Sequence, residues 1–154
     1  MLVAEKEVKI MTNEIAGIYC RLSQDDGNAG ESGSIQTQKT LLTQYCNERH
    51  ITIGDYYCDD GWSGTNFDRP DFKRMLDDIE AGKINMVIVK DLSRFGREYA
   101  QMGMYIEHYF EEKGIRFISV AENIDSKNGV DNLVLPFTNV INSFYARQAS
   151  SKTK

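Results

Sequence analysis

Arginine side chains recur where short apolar stretches of this sequence give way to polar ones. Arg21 and Ser23 end the segment GIYCRLS, Arg94 and Arg97 stand in KDLSRFGR, and Arg69 lies in FDRPDF. A guanidinium is always charged and can bond two phosphate oxygens at once. Any one of these arginines, taken alone, is more often a solvated surface residue. Brought together at one place, the set would bind phosphate.

Ser23 is the candidate nucleophile among these residues. An attacking serine normally needs a neighbouring base, and both histidines, His50 and His108, fall within predicted helices away from Ser23. The sequence contains no GxSxG elbow, no GxxxxGK[ST] loop and no GxGxxG fingerprint. A phosphodiester gains negative charge in its transition state, which arginines can stabilise without a metal. The pattern therefore favours phosphoryl transfer over acyl transfer.

Aspartates at the same places support two other hypotheses. Carboxylates on neighbouring strand ends can hold Mg²⁺ for a nuclease or phosphatase, although aspartate is also common in turns and helix caps. Their spacing forms no specific metal signature, so this hypothesis ranks second. A receiver-like signalling module would also explain the acids but leaves the arginines without a role. The residues concerned are Asp25, Asp26, Asp59, Asp60 and Asp91.

Apolar stretches alternate with helical patterns about four times along the chain. Strands are predicted over 15–20, 51–60, 84–89 and 115–120, and helices follow Ser34, begin at Pro70 and end at Gly114. This order predicts an α/β fold: three layers, with a mainly parallel central sheet of four to five strands and helices on both faces. Parallel strands end at one edge of their sheet. That edge would collect RLSQDD, CDDGWSG, KDLSRFGR and AENIDS.

Composition limits the remaining possibilities. Apolar residues make up 41% and charged residues 27% of the 154, which is typical of one globular domain. The three cysteines form no CxxC pair, which indicates reduced thiols and a cytoplasmic protein. No apolar run approaches the ~20 residues that span a bilayer, so no membrane partner is expected. The net charge of −5 argues against a domain that coats nucleic acid.

Four motifs together resemble the catalytic domain of the serine recombinases, the resolvase/invertase family. They are YCRLS (19–23), SIQTQ (34–38), GTNFDRPDF (64–72) and VKDLSRFGR (89–97). The stretch DDGWSGTNFDRP is most similar to the large serine recombinases of mobile elements. The resemblance implies that Ser23 attacks the DNA backbone, leaving a phosphoserine link to the 5′ end and a free 3′ hydroxyl. Religation reverses the step, so no cofactor and no metal are implied.

The resemblance also assigns the other site residues. Arg21, Arg69, Arg94 and Arg97 match the arginines around the scissile phosphate, and Gln38 matches the active-site glutamine. Many family members have an aspartate at the position of Ser93. Asp91 could face the same way if the chain is still extended there.

Domain organisation and partners follow from the same resemblance. We expect a flexible leader over 1–14, a catalytic domain over 15–130, and the start of a truncated long dimerisation helix over 131–154. The expected partners are double-stranded DNA and further copies of the protein, in a dimer and a recombining tetramer, with no small-molecule substrate. Because the basic groove-binding parts would lie beyond residue 154, we expect these residues alone neither to bind DNA site-specifically nor to recombine it.

Overall fold

A five-stranded sheet forms the centre of the computed structural model, which describes residues 14–22, 34–62, 67–96 and 99–128. The strands lie in the order β2-β1-β3-β4-β5. The first four pair in parallel and the last pairs antiparallel to its neighbour, which confirms the predicted mainly parallel sheet. The strands are β1 (Ile15–Leu22), β2 (Thr52–Asp60), β3 (Met86–Val89), β4 (Arg116–Ser119) and β5 (Ile124–Asp125).

The helices begin and end at residues with clear local causes. The Ser34 side chain accepts a hydrogen bond from the Thr37 amide at the start of α1, Pro70 occupies the first turn of α2, and Gly114 ends α5 with a φ of 72°. The helices are α1 (Ile35–Glu48), α2 (Pro70–Glu80), α3 (Leu92–Phe95), α4 (Tyr99–Gly103), a π-helical segment (Met104–Tyr109) and α5 (Phe110–Lys113), and a 3₁₀ turn (Ser126–Asn128) follows β5.

Side chains alternate between two buried layers, one on each face of the sheet. Ala16, Ile18 and Cys20 of β1 pack in the layer that includes Leu42 and Cys46 of α1. Tyr19 lies in the opposite layer, which contains inward residues of α2, the π-helical segment and α5. This is the period-2 alternation expected of a strand that is covered on both faces. The three-layer prediction is therefore confirmed.

The structure differs from the sequence-based prediction in two details. The helix predicted to end at Gly114 is not a regular α-helix throughout, because it contains the π-helical segment. Met102, Ile106 and Phe110 are nevertheless buried at a spacing of four residues. The short strand β5 was not predicted, because two residues carry no periodic signal. No helix among the described residues is long and apolar enough to cross a membrane. The predicted final helix lies outside the described residues, and so does the predicted leader except for its last residue, Glu14.

Candidate active site

The main chain at the end of β1 is held by two of the predicted site residues. The Gln38 side chain accepts a hydrogen bond from the Arg21 amide (3.2 Å) and donates one to the Arg21 carbonyl (3.1 Å). Arg94 Nη1 donates to the same carbonyl at 3.2 Å. Gln38 can reach this point because it lies in the first turn of α1, which starts beside the carboxyl end of β1. The backbone two residues before Ser23 therefore has a defined position.

The Arg21 guanidinium joins three segments of the chain. Its Nε donates to the Arg94 carbonyl (3.2 Å), its Nη1 to the Trp62 carbonyl (3.0 Å) and its Nη2 to the Ser93 carbonyl (2.5 Å). The side chain has no exposed surface. Arg21 thus fixes the end of β1 against α3 and against the turn that follows β2.

Arg69 lies in a pocket of aromatic rings next to this junction. Its guanidinium carbon is 5.4, 4.7 and 5.1 Å from the ring centroids of Tyr19, Phe67 and Phe72. Nη1 donates to the Tyr19 hydroxyl and Nη2 to the Phe95 carbonyl, both at 2.7 Å. Burial lowers the pKa of Arg69, and the contact with Tyr19 partly offsets this effect. A cation in this setting is stabilised by the ring faces as well as by hydrogen bonds.

Tyr19 and Asp59 are site residues that the sequence analysis did not identify in these roles. The Tyr19 hydroxyl donates to Asp59 Oδ2 at 2.8 Å, and the Asp59 carboxylate also accepts the amides of Asp71 and Phe72 at the start of α2. Burial raises the pKa of Tyr19 well above its ordinary value, despite the nearby Arg69. One available signal was that Tyr19 lies two residues before Arg21, on the same face of β1.

Asp91 contacts Arg94, as the sequence analysis considered possible if the chain is extended at Asp91. The backbone at Asp91 is extended, and its carboxylate accepts the Arg94 amide (3.1 Å) and the Ser93 hydroxyl (2.5 Å) as the N-cap of α3. Its other oxygen lies 3.9 Å from Arg94 Nε. Asp91, two residues before Ser93, therefore contacts Arg94 through its carboxylate.

The structure brings four of the six predicted site residues to one edge of the sheet. Arg21, Gln38 and Arg69 are fully buried, and Arg94 is 8% exposed. Ser23 and Arg97 lie outside the described residues. Buried guanidinium groups held by carbonyls form a preorganised positive region, which can stabilise developing negative charge without reorganising.

Two of the acids in the metal hypothesis, Asp59 and Asp91, have other partners in the structure, and Asp25 and Asp26 lie outside the described residues. Asp59 binds the start of α2 and Tyr19, and Asp91 caps α3. Across 14–22, 34–62, 67–96 and 99–128, no three histidine, cysteine, aspartate or glutamate side chains are grouped to hold a metal. Their observed roles are the helix-cap roles that aspartate commonly has.

Comparison with known proteins identifies the family. The sequence profile of the family described as "Resolvase, N terminal domain" matches residues 16–154. The chain belongs to the resolvase N-terminal domain family. The fold is similar to the N-terminal catalytic domain of TP901-1 integrase, with 31% identity and a TM-score of 0.73 over 88% of this chain and 99% of the other. The predicted serine recombinase resemblance is confirmed.

Two further relatives support the assignment. A resolvase-family site-specific recombinase from Streptococcus pneumoniae is 25% identical with a TM-score of 0.67, over 92% of this chain and 93% of that one. Immunity region protein 3 of Bacillus phage phi105, which is uncharacterized, is 37% identical over 71 residues, or 46% of this chain and 85% of its own. The domain is thus a member of a family of DNA strand-transfer enzymes.

Proposed function

We propose that this domain cleaves and rejoins double-stranded DNA through Ser23. The Ser23 hydroxyl oxygen forms a bond to phosphorus while the bond to the 3′ oxygen breaks. The serine hydroxyl gives up its proton and the leaving 3′ oxygen takes one up, so the products are a 5′-phosphoserine ester and a 3′ hydroxyl. Attack by a 3′ hydroxyl of another end reverses the step and releases Ser23, so the number of phosphodiester bonds is conserved.

One observation carries this proposal: the main chain of Arg21 is bonded by Gln38 and by Arg94, two residues before the proposed nucleophile. These bonds have lengths of 3.1–3.2 Å. A nucleophile gains rate when its backbone is held in place, because less freedom is lost on reaching the attack geometry. The arrangement supports a role for Gln38 and Arg94 in positioning β1.

The arginines have distinct roles in the proposed reaction. Arg21 and Arg69 are fully buried, so in this arrangement they act on the phosphate through their electric field and through the positions of β1 and α3. Arg94 is buried except for 8% of its surface, and it is proposed to contact the phosphate together with Arg97. With this charge supplied by side chains, the proposed reaction needs no metal.

The proposed biological setting is the excision or integration of a mobile element. The likeness to the catalytic domain of TP901-1 integrase, over 88% of this chain, supports this setting. The proposed partners are double-stranded DNA and further copies of the protein, because two strand breaks in each of two sites require four nucleophiles.

Cleavage by the protein at its natural length tests the proposal. Ser23→Ala should abolish covalent attachment to DNA, and the wild type should remain active in EDTA. Arg94→Ala should reduce the cleavage rate by about 10²–10³-fold, the usual cost of one lost preorganised donor. Arg74→Ala is the matched control, because Arg74 pairs at the surface with Asp55 at 2.7 Å.

The nuclease hypothesis gives the opposite pattern. EDTA would then stop cleavage, and Asp59→Asn would reduce the rate more than Arg94→Ala. Unchanged strand exchange by Ser23→Ala would also contradict the proposal.

A further inference from the structure

The side chain of Trp62 is exposed at the edge of the candidate site. Three large apolar side chains are exposed among the described residues: Leu41 (37%), Trp62 (43%) and Met104 (51%). Of these, Trp62 alone belongs to a residue whose main chain is bonded to Arg21. Tryptophan is enriched among the residues that dominate binding interfaces, so an exposed indole on a residue bonded to Arg21 is a candidate for contact with DNA.

Hydrogen bonds to β1 fix the position of the Trp62 backbone. Gly61 has a φ of 86°, a conformation that favours glycine, and its amide donates to the Leu22 carbonyl at 2.5 Å. The Trp62 carbonyl accepts from Arg21 Nη1 at 3.0 Å. Two hydrogen bonds therefore attach the turn after β2 to the last two residues of β1. The Trp62 side chain takes part in neither bond, so replacing it leaves the turn intact.

We propose that the indole of Trp62 stacks on a DNA base beside the phosphate that Ser23 attacks. This inference rests on the proposed function of Ser23. Leu22 directly precedes Ser23 in the sequence and its carbonyl accepts the Gly61 amide, and neighbouring strands such as β1 and β2 lie about 4.8 Å apart. Successive bases of one DNA strand are about 3.4 Å apart along the helix. A phosphate next to Arg21 and Arg94 would thus have its flanking bases close to Trp62, whose carbonyl accepts from Arg21.

The chemistry of the indole suits a base more than any other part of DNA. Every base offers a flat π face, and stacking on an aromatic side chain holds it without reading its identity. The negative phosphates on either side are attracted by the adjacent arginines. The contact would hold the strand at the reacting phosphate, and a base that leaves the duplex stack near a break would gain a new partner.

The fluorescence of 2-aminopurine, placed in the DNA next to the cleaved bond, measures stacking of a base on the Trp62 indole. The protein at its natural length is used in a Ser23→Ala background, so that the DNA stays uncleaved. Stacking on the indole should change the emission of the probe on binding, and Trp62→Ala should abolish that change. Trp62→Phe should retain part of it, and Leu41→Ala, a comparably exposed position away from Arg21, should retain all of it.

The rate of covalent attachment with Ser23 restored provides the second readout. Trp62→Ala should slow it by about 10-fold, within the range for loss of one stacked base, while Trp62→Phe and Leu41→Ala stay near the wild type. If the wild type forms adduct while Trp62→Ala changes neither readout, the stacking role is overturned and the proposed function stands. If Trp62→Ala instead weakens association between copies and leaves the probe signal unchanged, the indole contacts protein and the inference is wrong. If the wild type forms no adduct, the proposed function fails and the stacking role fails with it.

Discussion

Removing one buried hydroxyl provides a strong test of the contacts at the candidate site. Tyr19→Phe keeps the ring, which packs edge-on against Phe72 at 5.7 Å, and removes the oxygen that bridges Asp59 and Arg69. Both lost hydrogen bonds involve a charged group, and such bonds contribute about 1.5–3 kcal/mol each. Asp59 keeps two amide donors, which limits the cost on its side. We expect the free energy of unfolding to fall by about 2–4 kcal/mol.

Tyr57→Phe is the matched control for this change. The Tyr57 hydroxyl donates one hydrogen bond, to Asp78 Oδ2 at 2.6 Å, and this bond is partly exposed. Tyr57 lies in the same buried layer as Tyr19. Its loss should cost about 1.5 kcal/mol, the low end of the range for a bond to a charged group, because this bond is partly exposed. Urea unfolding of the 154-residue chain measures both variants through the midpoint, at unchanged slope. Equal losses for the two variants would refute the idea that Tyr19 ties Arg69 to the end of β2.

Two further variants test other contacts. Burial acts to raise the pKa of Asp125, but the hydrogen bonds from Arg116 and from the Lys127 amide, together with the positive charges of these two residues, outweigh it and hold that pKa below its ordinary value. The stability from this pair is therefore present above about pH 4 and is lost as the pH falls through the lower folded-state pKa. Asp125→Asn should lose less stability than the wild type between pH 5 and pH 2, and parallel losses would contradict this. Gly96→Ala would place a methyl group against the Phe67 ring that covers Arg69. This overpacking should lower the free energy of unfolding, measured in urea, by about 1–3 kcal/mol and should slow DNA cleavage. A variant with unchanged stability and cleavage rate would show that the Phe67 ring moves freely.

Local signals in the sequence predicted most of the fold correctly. Ser34 and Pro70 start their helices as expected, and the apolar stretch over 15–20 correctly predicted a buried strand. Such features depend on residues a few positions apart. Strand β5 and the π-helical segment escaped prediction because the first is two residues long and the second keeps a helical spacing of buried residues.

The contacts of the candidate site depended on distant parts of the chain. The proximity of Arg21 and Arg94 was predictable because both follow parallel strands that end at one edge. Arg69 was expected there at the start of a helix, and Gln38 was assigned from the family resemblance. The bond from Tyr19 to Asp59 spans 40 positions, and the bond from Arg69 to Tyr19 spans 50. They require the register that aligns Arg21 with Asp59, and no local pattern reveals it. For the same reason Asp59 could be taken for a metal ligand until its amide donors were located.

The most direct test of the central claim is peptide mapping of the covalent adduct between the protein at its natural length and a nicked DNA substrate that traps the broken strand. After digestion of protein and DNA, mass spectrometry should find a 5′-phosphorylated nucleotide attached to the peptide that contains Ser23, formed equally well in EDTA and absent from Ser23→Ala. Attachment at another residue, attachment through a 3′ phosphate, or cleavage with no covalent link would contradict the account.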